Sequence, residues 1–302
     1  MKSVLSTTHS ETVTTTGQAA PAVQVRELDE LDYRAVLTLL AASPQQGVHL
    51  ESLIADYGLT SPALRGRFFG CFEAEQLTGV ALIGHQIMFC ATDAALAHFA
   101  DAALTSGLHL QSCVIFGLRR QVDLFWQYLA ACGREQRLAR DFQWFVCAQP
   151  TQPVRQFRLV QAGPEHLEMV SEAHASMFIE ATGADPRRKD PEGFRRRALE
   201  RIERGRTWIV IEDGEVVFKA ELQSVTPDAI YLEGIWTHPS HREHGLAKSS
   251  VVELTHRRLR RQQVICLVVE PEEKAAQYIY EHAGFHYEAE YRAVYLQPVN
   301  EA

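Results

Sequence analysis

The chain has 302 residues, 46% of them hydrophobic and 23% charged, and a formal net charge of −8. This composition is typical of an ordinary globular protein and excludes the collagen, coiled-coil and disordered classes. The acidic balance argues against nucleic acid as a partner, because neutralising phosphates requires clustered excess Lys and Arg. The length predicts two domains of about 150 residues each.

The sequence also carries expectations about the cellular setting. Its apolar runs all fall short of the ~20 residues that a membrane-spanning helix requires, so we expect no membrane contact. Residues 1–24 are rich in Ser, Thr and Ala, with an apolar run too short for a signal peptide, and predict a disordered leader. The six cysteines form no CxxC pair, which predicts reduced thiols in a cytoplasmic protein.

The first half of the chain predicts helices, then a strand meander, then alternating elements. Helical spacing of apolar residues, or short apolar runs between polar residues and glycines, identifies each one. The expected elements, in chain order, are helices at 26–42 and 50–57, strands at 68–72, 77–83 and 86–90, a helix at 93–105, a strand at 112–116, a helix at 121–131 and a strand at 143–148.

A segment with two prolines, residues 149–153, has the composition of a link between domains. We therefore place the boundary between residues 25–150 and 151–302. Asp213-Gly214 predicts a hairpin with a type I′ turn. The expected elements of the second half are a strand at 157–161, helices at 165–182 and 191–204, strands at 207–212, 216–224 and 229–237, a helix at 246–260, a strand at 264–269, a helix at 273–282 and a strand pair within 285–296.

The segment 231–248 predicts a strand that runs through a tight turn straight into a helix. The first N–H groups of such a helix have no partner within it, and together with the helix dipole they form a seat for a diphosphate. Gly245 and Ala247 would let phosphates approach the main chain. Arg242, His241 and His244 add positive charge or hydrogen-bond donors nearby. The spacing Arg-x-x-Gly-x-Ala is neither a dinucleotide-binding motif nor a P-loop.

This segment resembles the coenzyme A loop of the GNAT superfamily of N-acetyltransferases, Arg/Gln-x-x-Gly-x-Gly/Ala. The resemblance covers residues 157–296. It is strengthened downstream by residues that match the family's Ala-x-x-x-Tyr-x-x-x-Gly-Phe ending, namely Ala276, Tyr280, Gly284 and Phe285. It implies an α/β (α+β) fold of two GNAT-like domains, each a mixed, mostly antiparallel sheet flanked by helices.

The arrangement of the helix at 191–204, the Asp213-Gly214 hairpin and the run from Val217 to Glu221 further resembles a bacterial GNAT subfamily with an extra N-terminal domain of unassigned role. That domain is itself GNAT-like but lacks the phosphate loop. The first half of this chain agrees, because it has no Arg-x-x-Gly-x-Gly between Cys90 and Asp93. We therefore expect the N-terminal domain to be degenerate and not to bind coenzyme A.

The resemblance implies acetyl-coenzyme A as cosubstrate and a set of residues that hold it. The pantetheine amides would pair with Ile235, Trp236 and Thr237 as an added strand. The remaining cofactor-binding candidates are Arg242, Glu243, His244, Gly245, Leu246, Ala247, Lys248, Glu270, Glu273, Ala276 and Tyr280. Glu270 and Glu273 stand where the subfamily usually has asparagines, and an ionised glutamate can only accept hydrogen bonds.

Three catalytic roles follow. An amine acceptor must lose a proton before or during its attack, and Glu233 is the candidate base, with Glu221 on the neighbouring strand as its rival. Strand alternation puts Glu233 and Tyr231 on one face. The resemblance assigns an oxyanion-stabilising N–H to Trp236 or Ile235, and makes Tyr280 the acid that protonates the leaving sulfur.

Other interpretations stay open at this stage. Glu233 and Tyr280 could be structural residues. His238, His241 and His244 recur at every third position, but without a paired carboxylate or thiol we expect no metal. The main hypothesis is an acyl-coenzyme A dependent N-acyltransferase, a monomer or homodimer, acting on a small-molecule or protein amine. The alternatives are an acyl-coenzyme A sensor or pseudoenzyme, and a transferase with an aminoacyl-tRNA donor, which the acidic charge disfavours.

Overall fold

A computed structural model describes residues 23–153, 157–259 and 264–299. Within these ranges the strands are β1 Val23–Glu27, β2 Gly66–Glu73, β3 Gln76–Gly84, β4 Gln86–Cys90, β5 Val114–Leu118, β6 Gln136–Cys147, β7 Val160–Gln161, β8 Thr207–Glu212, β9 Glu215–Val225, β10 Ala229–Thr237, β11 Val264–Val269 and β12 His286–Leu296. The α-helices are α1 Tyr33–Ala41, α2 Pro44–Tyr57, α3 Asp93–Thr105, α4 Arg119–Ala131, α5 Leu167–Thr182, α6 Pro191–Glu203, α7 Leu246–Arg258 and α8 Lys274–Ala283.

All twelve described strands join one mixed sheet in the order β1-β2-β3-β4-β5-β12-β6-β11-β10-β9-β8-β7. Two pairs are parallel, β4 with β5 and β10 with β11, and the other neighbours are antiparallel. The last strand of each half crosses over: β6 pairs with β11 of the second half, and β12 pairs with β5 of the first. The two halves therefore interlock through exchanged strands.

Helices cover both faces of the second half of the sheet. Helices α7 and α8 pack on one face over Ile230 and Leu232, within a cluster of more than twenty buried residues. Helices α5 and α6 pack on the other face, and α2 of the first half lies beside them against Tyr231. Burial of each large apolar side chain stabilises the fold by about 1.5–3 kcal/mol, so the strands that carry the site are held from both sides.

The sequence predictions match most elements to within a few residues. The predicted hairpin is confirmed, since Asp213 and Gly214 have φ angles of 50° and 82°, as a type I′ turn requires. Two predictions were wrong. The expected helix at 26–42 begins as strand β1, because those residues pair with β2, and the expected strand pair within 285–296 is the single strand β12.

Two further predictions fall partly outside the described residues. Most of the expected leader, residues 1–22, lies outside the described residues, whereas its last two residues belong to β1. The C-terminal end of the helix expected at 246–260 also falls on a residue outside that range. Among the helices that the structure describes, none is both long and apolar enough to cross a bilayer.

Candidate active site

The parallel strands β10 and β11 separate soon after they meet. Their ladder consists of Ala229 to Tyr231 paired with Val264 to Cys266. Beyond that point β11 stays paired with β6 up to Val269, while β10 stays paired with β9 up to Thr237. The facing edges of β10 and β11 therefore offer main-chain groups that no ladder hydrogen bond joins.

A β-bulge interrupts β10 within this separated stretch. Glu233 pairs with Glu221 and Trp236 with Lys219, so Gly234 and Ile235 together face the single residue between. Gly234 has φ +60°, a left-handed conformation that glycine adopts without the penalty other residues incur. The extra residue turns the local peptide groups out of the regular ladder.

Lys219 fixes the orientation of the bulge. Its side chain is fully buried, and its Nζ donates to the Gly234 carbonyl oxygen at 2.9 Å and to Glu221 Oε1 at 3.0 Å. Because the peptide group is planar and trans, the N–H of Ile235 points opposite to the Gly234 carbonyl and so away from Lys219. A buried ammonium thereby orients one particular amide of the separated strand.

The position of the Trp236 amide differs from the sequence expectation. The His238 N–H donates to Val217 O across the β9–β10 ladder at 2.9 Å, and residues two apart in a strand direct their N–H groups to the same side. The Trp236 N–H therefore points at β9, away from the gap. Its indole packs among buried residues of α5 and α6 and donates from Nε1 to Glu180 at 3.3 Å.

Glu221 is the centre of a buried ionic cluster that the sequence patterns did not reveal. Besides Lys219, its carboxylate contacts His174 Nδ1 at 3.3 Å and Arg201 Nε at 3.0 Å. Although burial alone would raise it, the nearby cations hold the pKa of Glu221 well below its usual value. Burial lowers the pKa of His174. Lys219, His174 and Arg201 each come from a different strand or helix, so only folding assembles the cluster.

Glu233 is the acidic neighbour of this cluster across the strand pair. Its side chain is exposed to solvent, yet the surrounding protein desolvates it. This desolvation and the negative charge of Glu221 raise the pKa of Glu233. A carboxylate with a raised pKa is a stronger base while it is still ionised at neutral pH. Of the two candidate bases, Glu233 is the accessible one, because Glu221 is only 4% exposed and fully ion-paired.

The turn after β10 presents a run of unpaired amides. Helix α7 begins at Leu246, its N-cap is Gly245 with φ +78°, and no side chain caps it. The first α-helical bond is donated by Ser249 to Gly245 O. Within the described chain, the N–H groups of residues 243–248 donate to no protein acceptor. These amides and the helix dipole together favour an anion at this point.

Most of the charged side chains of the turn form hydrogen bonds that hold its conformation. Arg242 donates to Thr237 O at 3.1 Å and to Glu180 Oε2 at 2.7 Å, so its guanidinium ties the turn to α5. His238 Nδ1 and His241 Nδ1 both lie within hydrogen-bond distance of Ser240 Oγ, at 2.7 and 2.9 Å. Across the described ranges, no group of three or more His, Cys, Asp or Glu side chains is placed to hold a metal ion.

Tyr280 lies on α8, which packs beside α7. Its ring is 9% exposed and packs against Phe285, with 6.0 Å between ring centroids. No residue in the described part of the chain accepts from or donates to its hydroxyl. Burial and the charge of Glu273 raise the pKa of Tyr280, so the phenol keeps its proton. The hydroxyl of Tyr280 is thus protonated and has no hydrogen-bond partner among the described residues.

Glu270 and Glu273 occupy different settings. Glu270 Oε1 accepts from Arg140 of β6 at 3.0 Å, so its charge is balanced by the strand exchanged from the first half. Glu273 is the N-cap of α8 and caps no amide with its side chain. Ala276, the remaining candidate on α8, is partly buried against the α7–α8 core.

Comparisons with known proteins agree with this architecture. The sequence model of the Acetyltransferase (GNAT) family matches residues 167–285. A GNAT-family acetyltransferase from Colwellia psychrerythraea is 15% identical over 91% of this chain and 100% of its own, with a TM-score of 0.55. A GCN5-related N-acetyltransferase from Sphaerobacter thermophilus is 16% identical over 90% and 94%, with a TM-score of 0.54.

A tandem GNAT protein from the clavulanic acid biosynthesis pathway is 11% identical over 92% of this chain and 100% of its own, with a TM-score of 0.53. At such identities the likeness is one of fold. No curated protein matches the sequence. The chain therefore has the mixed α/β fold of GNAT structures, and the family match over residues 167–285 supports a GNAT acetyltransferase.

Proposed function

We propose that this protein transfers an acetyl group from acetyl-coenzyme A to a primary amine, by direct attack of the amine in a ternary complex. The observation that carries the proposal is the row of unpaired amides at residues 243–248, directly after a strand that has parted from its parallel neighbour. A diphosphate fits the amides, and a pantetheine chain fits the unpaired edge of β10. The first half is proposed to be a GNAT-like domain without a coenzyme A site.

The proposed cofactor contacts follow from these positions. The amides of Gly245, Leu246 and Ala247 would bind the diphosphate, with Lys248 adding positive charge. The main chain of Ile235 and Thr237 is proposed to face the gap and to pair with the pantetheine amides. Arg242 supports the turn through Thr237 O and Glu180 instead of binding phosphate with its guanidinium.

Glu233 is proposed as the base. A primary ammonium has no lone pair, so a proton must move to the carboxylate before the nitrogen can form its bond to the acyl carbon. The raised pKa of Glu233 favours acceptance of that proton. Its exposure leaves room for the amine, whereas the rival Glu221 is enclosed by its cations.

Ile235 is proposed as the oxyanion donor, in place of Trp236. As the nitrogen–carbon bond forms, negative charge develops on the thioester oxygen, and an N–H that is already oriented stabilises it without rearrangement. Lys219 supplies the orientation through the Gly234 carbonyl. The carbonyl then re-forms as the carbon–sulfur bond breaks, and Tyr280 gives its proton to the departing sulfur. The second proton that the nitrogen loses passes to solvent, and solvent restores the proton of the phenol.

The proposal is tested by calorimetric titration of acetyl-coenzyme A and by release of free thiol across a panel of amines. We expect binding and turnover, with Glu233→Gln lowering kcat/KM by about a hundredfold to ten-thousandfold and leaving acetyl-coenzyme A affinity unchanged. Glu215→Gln is the matched control, an exposed glutamate at the start of β9. Binding without turnover for any amine would point to an acyl-coenzyme A sensor, and absence of binding would refute the proposal.

A further inference from the structure

A cleft of about 380 Å³ lies between the two halves of the molecule. Helix α2 forms one wall and α6 the other, and Gln223 and Ser224 of β9 lie along it. It is a composite surface, since neither half encloses it alone. Its apolar side includes Leu53, Leu64 and Met88.

The cleft is rich in positive charge although the chain as a whole is acidic. Five arginines but only two carboxylates, Asp56 and Glu200, line it. Asp56 bridges the halves by pairing with both Arg204, at 2.5 Å, and Arg206, at 2.7 Å. One carboxylate thus holds two guanidinium groups. Glu200 also pairs with Arg204, and Arg197 and Arg201 pair with Asp190 and Glu221, which do not line the cleft.

In the part of the chain that the structure describes, Arg65 is the one arginine of this cleft without an acidic partner. Among the described residues, its side chain has one polar contact, from the guanidinium to His85 Nδ1 at 3.2 Å. Burial and the charge of Arg65 lower the pKa of His85, which keeps the imidazole neutral and able to accept that hydrogen bond. Arg65 is exposed, so its remaining donors face the cleft and solvent.

The cleft adjoins the proposed site of chemistry through Arg201. This residue lines the cleft and pairs with Glu221, the strand partner of Glu233. His49 of α2 also lines the cleft, and its ring lies 4.4 Å from that of Tyr231, two residues before Glu233. A molecule in the cleft therefore has Arg65 at the side of the first half and the base on the far side of Arg201.

We propose that the acceptor is an amine that also carries an anionic group, a carboxylate or a phosphate, and that this cleft binds the anionic group through Arg65. The inference rests on the proposed function for the role of the amine, and on the cleft alone for the anion. Guanidinium groups bind carboxylates and phosphates through paired, charge-assisted hydrogen bonds. The apolar wall would contact the carbon chain between the two ends.

The test uses straight-chain ω-amino acids and aminoalkyl phosphates of increasing length, each matched with its neutral amide or alcohol. Thiol release is measured with saturating acetyl-coenzyme A, and binding of each anionic amine is measured by calorimetry without it. We expect the anionic amines to be preferred, and Arg65→Gln to raise their KM and Kd by roughly tenfold to a hundredfold. The KM of the neutral amines should not change in that variant.

Arg67→Gln is the matched control. Arg67 lies two residues after Arg65, pairs with Glu27 of the neighbouring strand β1, and does not line the cleft. Equal use of anionic and neutral amines by the wild type and Arg65→Gln would overturn the cleft proposal and leave the transferase proposal intact. Binding of the anionic amines that depends on Arg65, without turnover, would support the cleft and refute the transferase. The carboxylate and phosphate series separate the two sources of the anion.

Discussion

The two halves build the same strand-turn-helix in different ways. Helix α7 starts after Gly245 in a left-handed conformation, with free amides at its head. Helix α3 starts after Thr92 in an extended conformation, with Asp93 in its first turn. Asp93 pairs with Arg120 at 2.7 Å, so an ion-paired carboxylate lies in the first turn of α3.

The gaps between the parallel strands differ as well. Strands β4 and β5 also part, after Ile87 and Ile115, but Gln121 of α4 donates across to Ala91 O at 2.8 Å. The cavity left there measures only about 20 Å³. The β3–β4 pair has no bulge. Side chains therefore close the gap between β4 and β5.

The helices that follow β5 and β11 complete the contrast. Counting from the first residue of each helix, the seventh is Phe125 in α4 and Tyr280 in α8. Phe125 is fully buried and packs against Phe89, whereas Tyr280 carries a hydroxyl without a described partner. The comparison teaches that packing accounts for this strand-turn-helix region of the first half, while the corresponding region of the second half retains polar groups that its own packing does not use.

The largest expected effect comes from replacing Tyr280 of α8 by phenylalanine, the residue that α4 has at the equivalent position. Tyr280→Phe should lower kcat by about a hundredfold or more, as loss of a general acid does, with the affinity for acetyl-coenzyme A retained. Steady-state thiol release measures the first and calorimetry the second. The midpoint of thermal unfolding should hardly change, because the hydroxyl makes no hydrogen bond to the described protein.

Tyr278→Phe is the control for that change, since Tyr278 lies on the same helix and is 60% exposed. Its turnover should equal that of the wild type. If Tyr280→Phe retains full turnover, the assignment of the acid is wrong, and Tyr280 is only a packing residue, as Phe125 is in the first half.

A second substitution replaces Gly245, the N-cap of α7, by threonine, the residue type that caps α3. Gly245→Thr forces a β-branched residue into a left-handed conformation that costs about 1–2 kcal/mol, so the turn should change shape. We expect acetyl-coenzyme A to bind roughly tenfold more weakly in calorimetric titration. The wild type should bind one acetyl-coenzyme A per chain if only the second half has a site.

Gly183→Thr is the control, because Gly183 has φ +73°, ends α5, and has open space around it. It should be destabilised to a similar degree with unchanged acetyl-coenzyme A affinity. Two binding events per chain, or full affinity in Gly245→Thr, would contradict the contrast between the halves.

The smallest expected effect is a change in pH dependence from Glu221→Gln. The negative charge of Glu221 raises the pKa of Glu233, and Glu233 must be ionised to act as a base. Loss of that charge lowers the pKa, so the acidic limb of the kcat/KM profile should move to lower pH. Lys219 and Arg201, freed of their partner, act in the same direction.

Lys219→Met supplies the opposing test, because removal of a cation should move the same limb to higher pH. Each variant leaves a buried charge without its partner, so we expect unfolding free energies lower by about 3–5 kcal/mol. Profiles are therefore recorded well below the unfolding temperature. Limbs that move together in both variants would show that Glu233 is not the titrating base.

The sequence by itself determined the elements and the turn. Helical and strand periodicity placed α3, β4, β8, β10 and β11 at their observed bounds, because local propensity and burial pattern agree there. The glycine and small residues after β10 predicted a turn with free amides, since these depend on neighbours in the chain alone. Where long-range pairing overrode the local pattern, as for β1, the prediction failed.

Only the tertiary structure decided which groups meet. The exchange of β6 and β12 depends on strand pairing over more than a hundred residues of sequence, which no local pattern encodes. The bulge at Gly234 became visible as a register shift between two strands, and its orientation depends on the ammonium of Lys219 from the other strand. Likewise, the raised pKa of Glu233 and the arginines of the cleft arise from side chains that are distant in sequence, because desolvation and Coulomb interactions act through space.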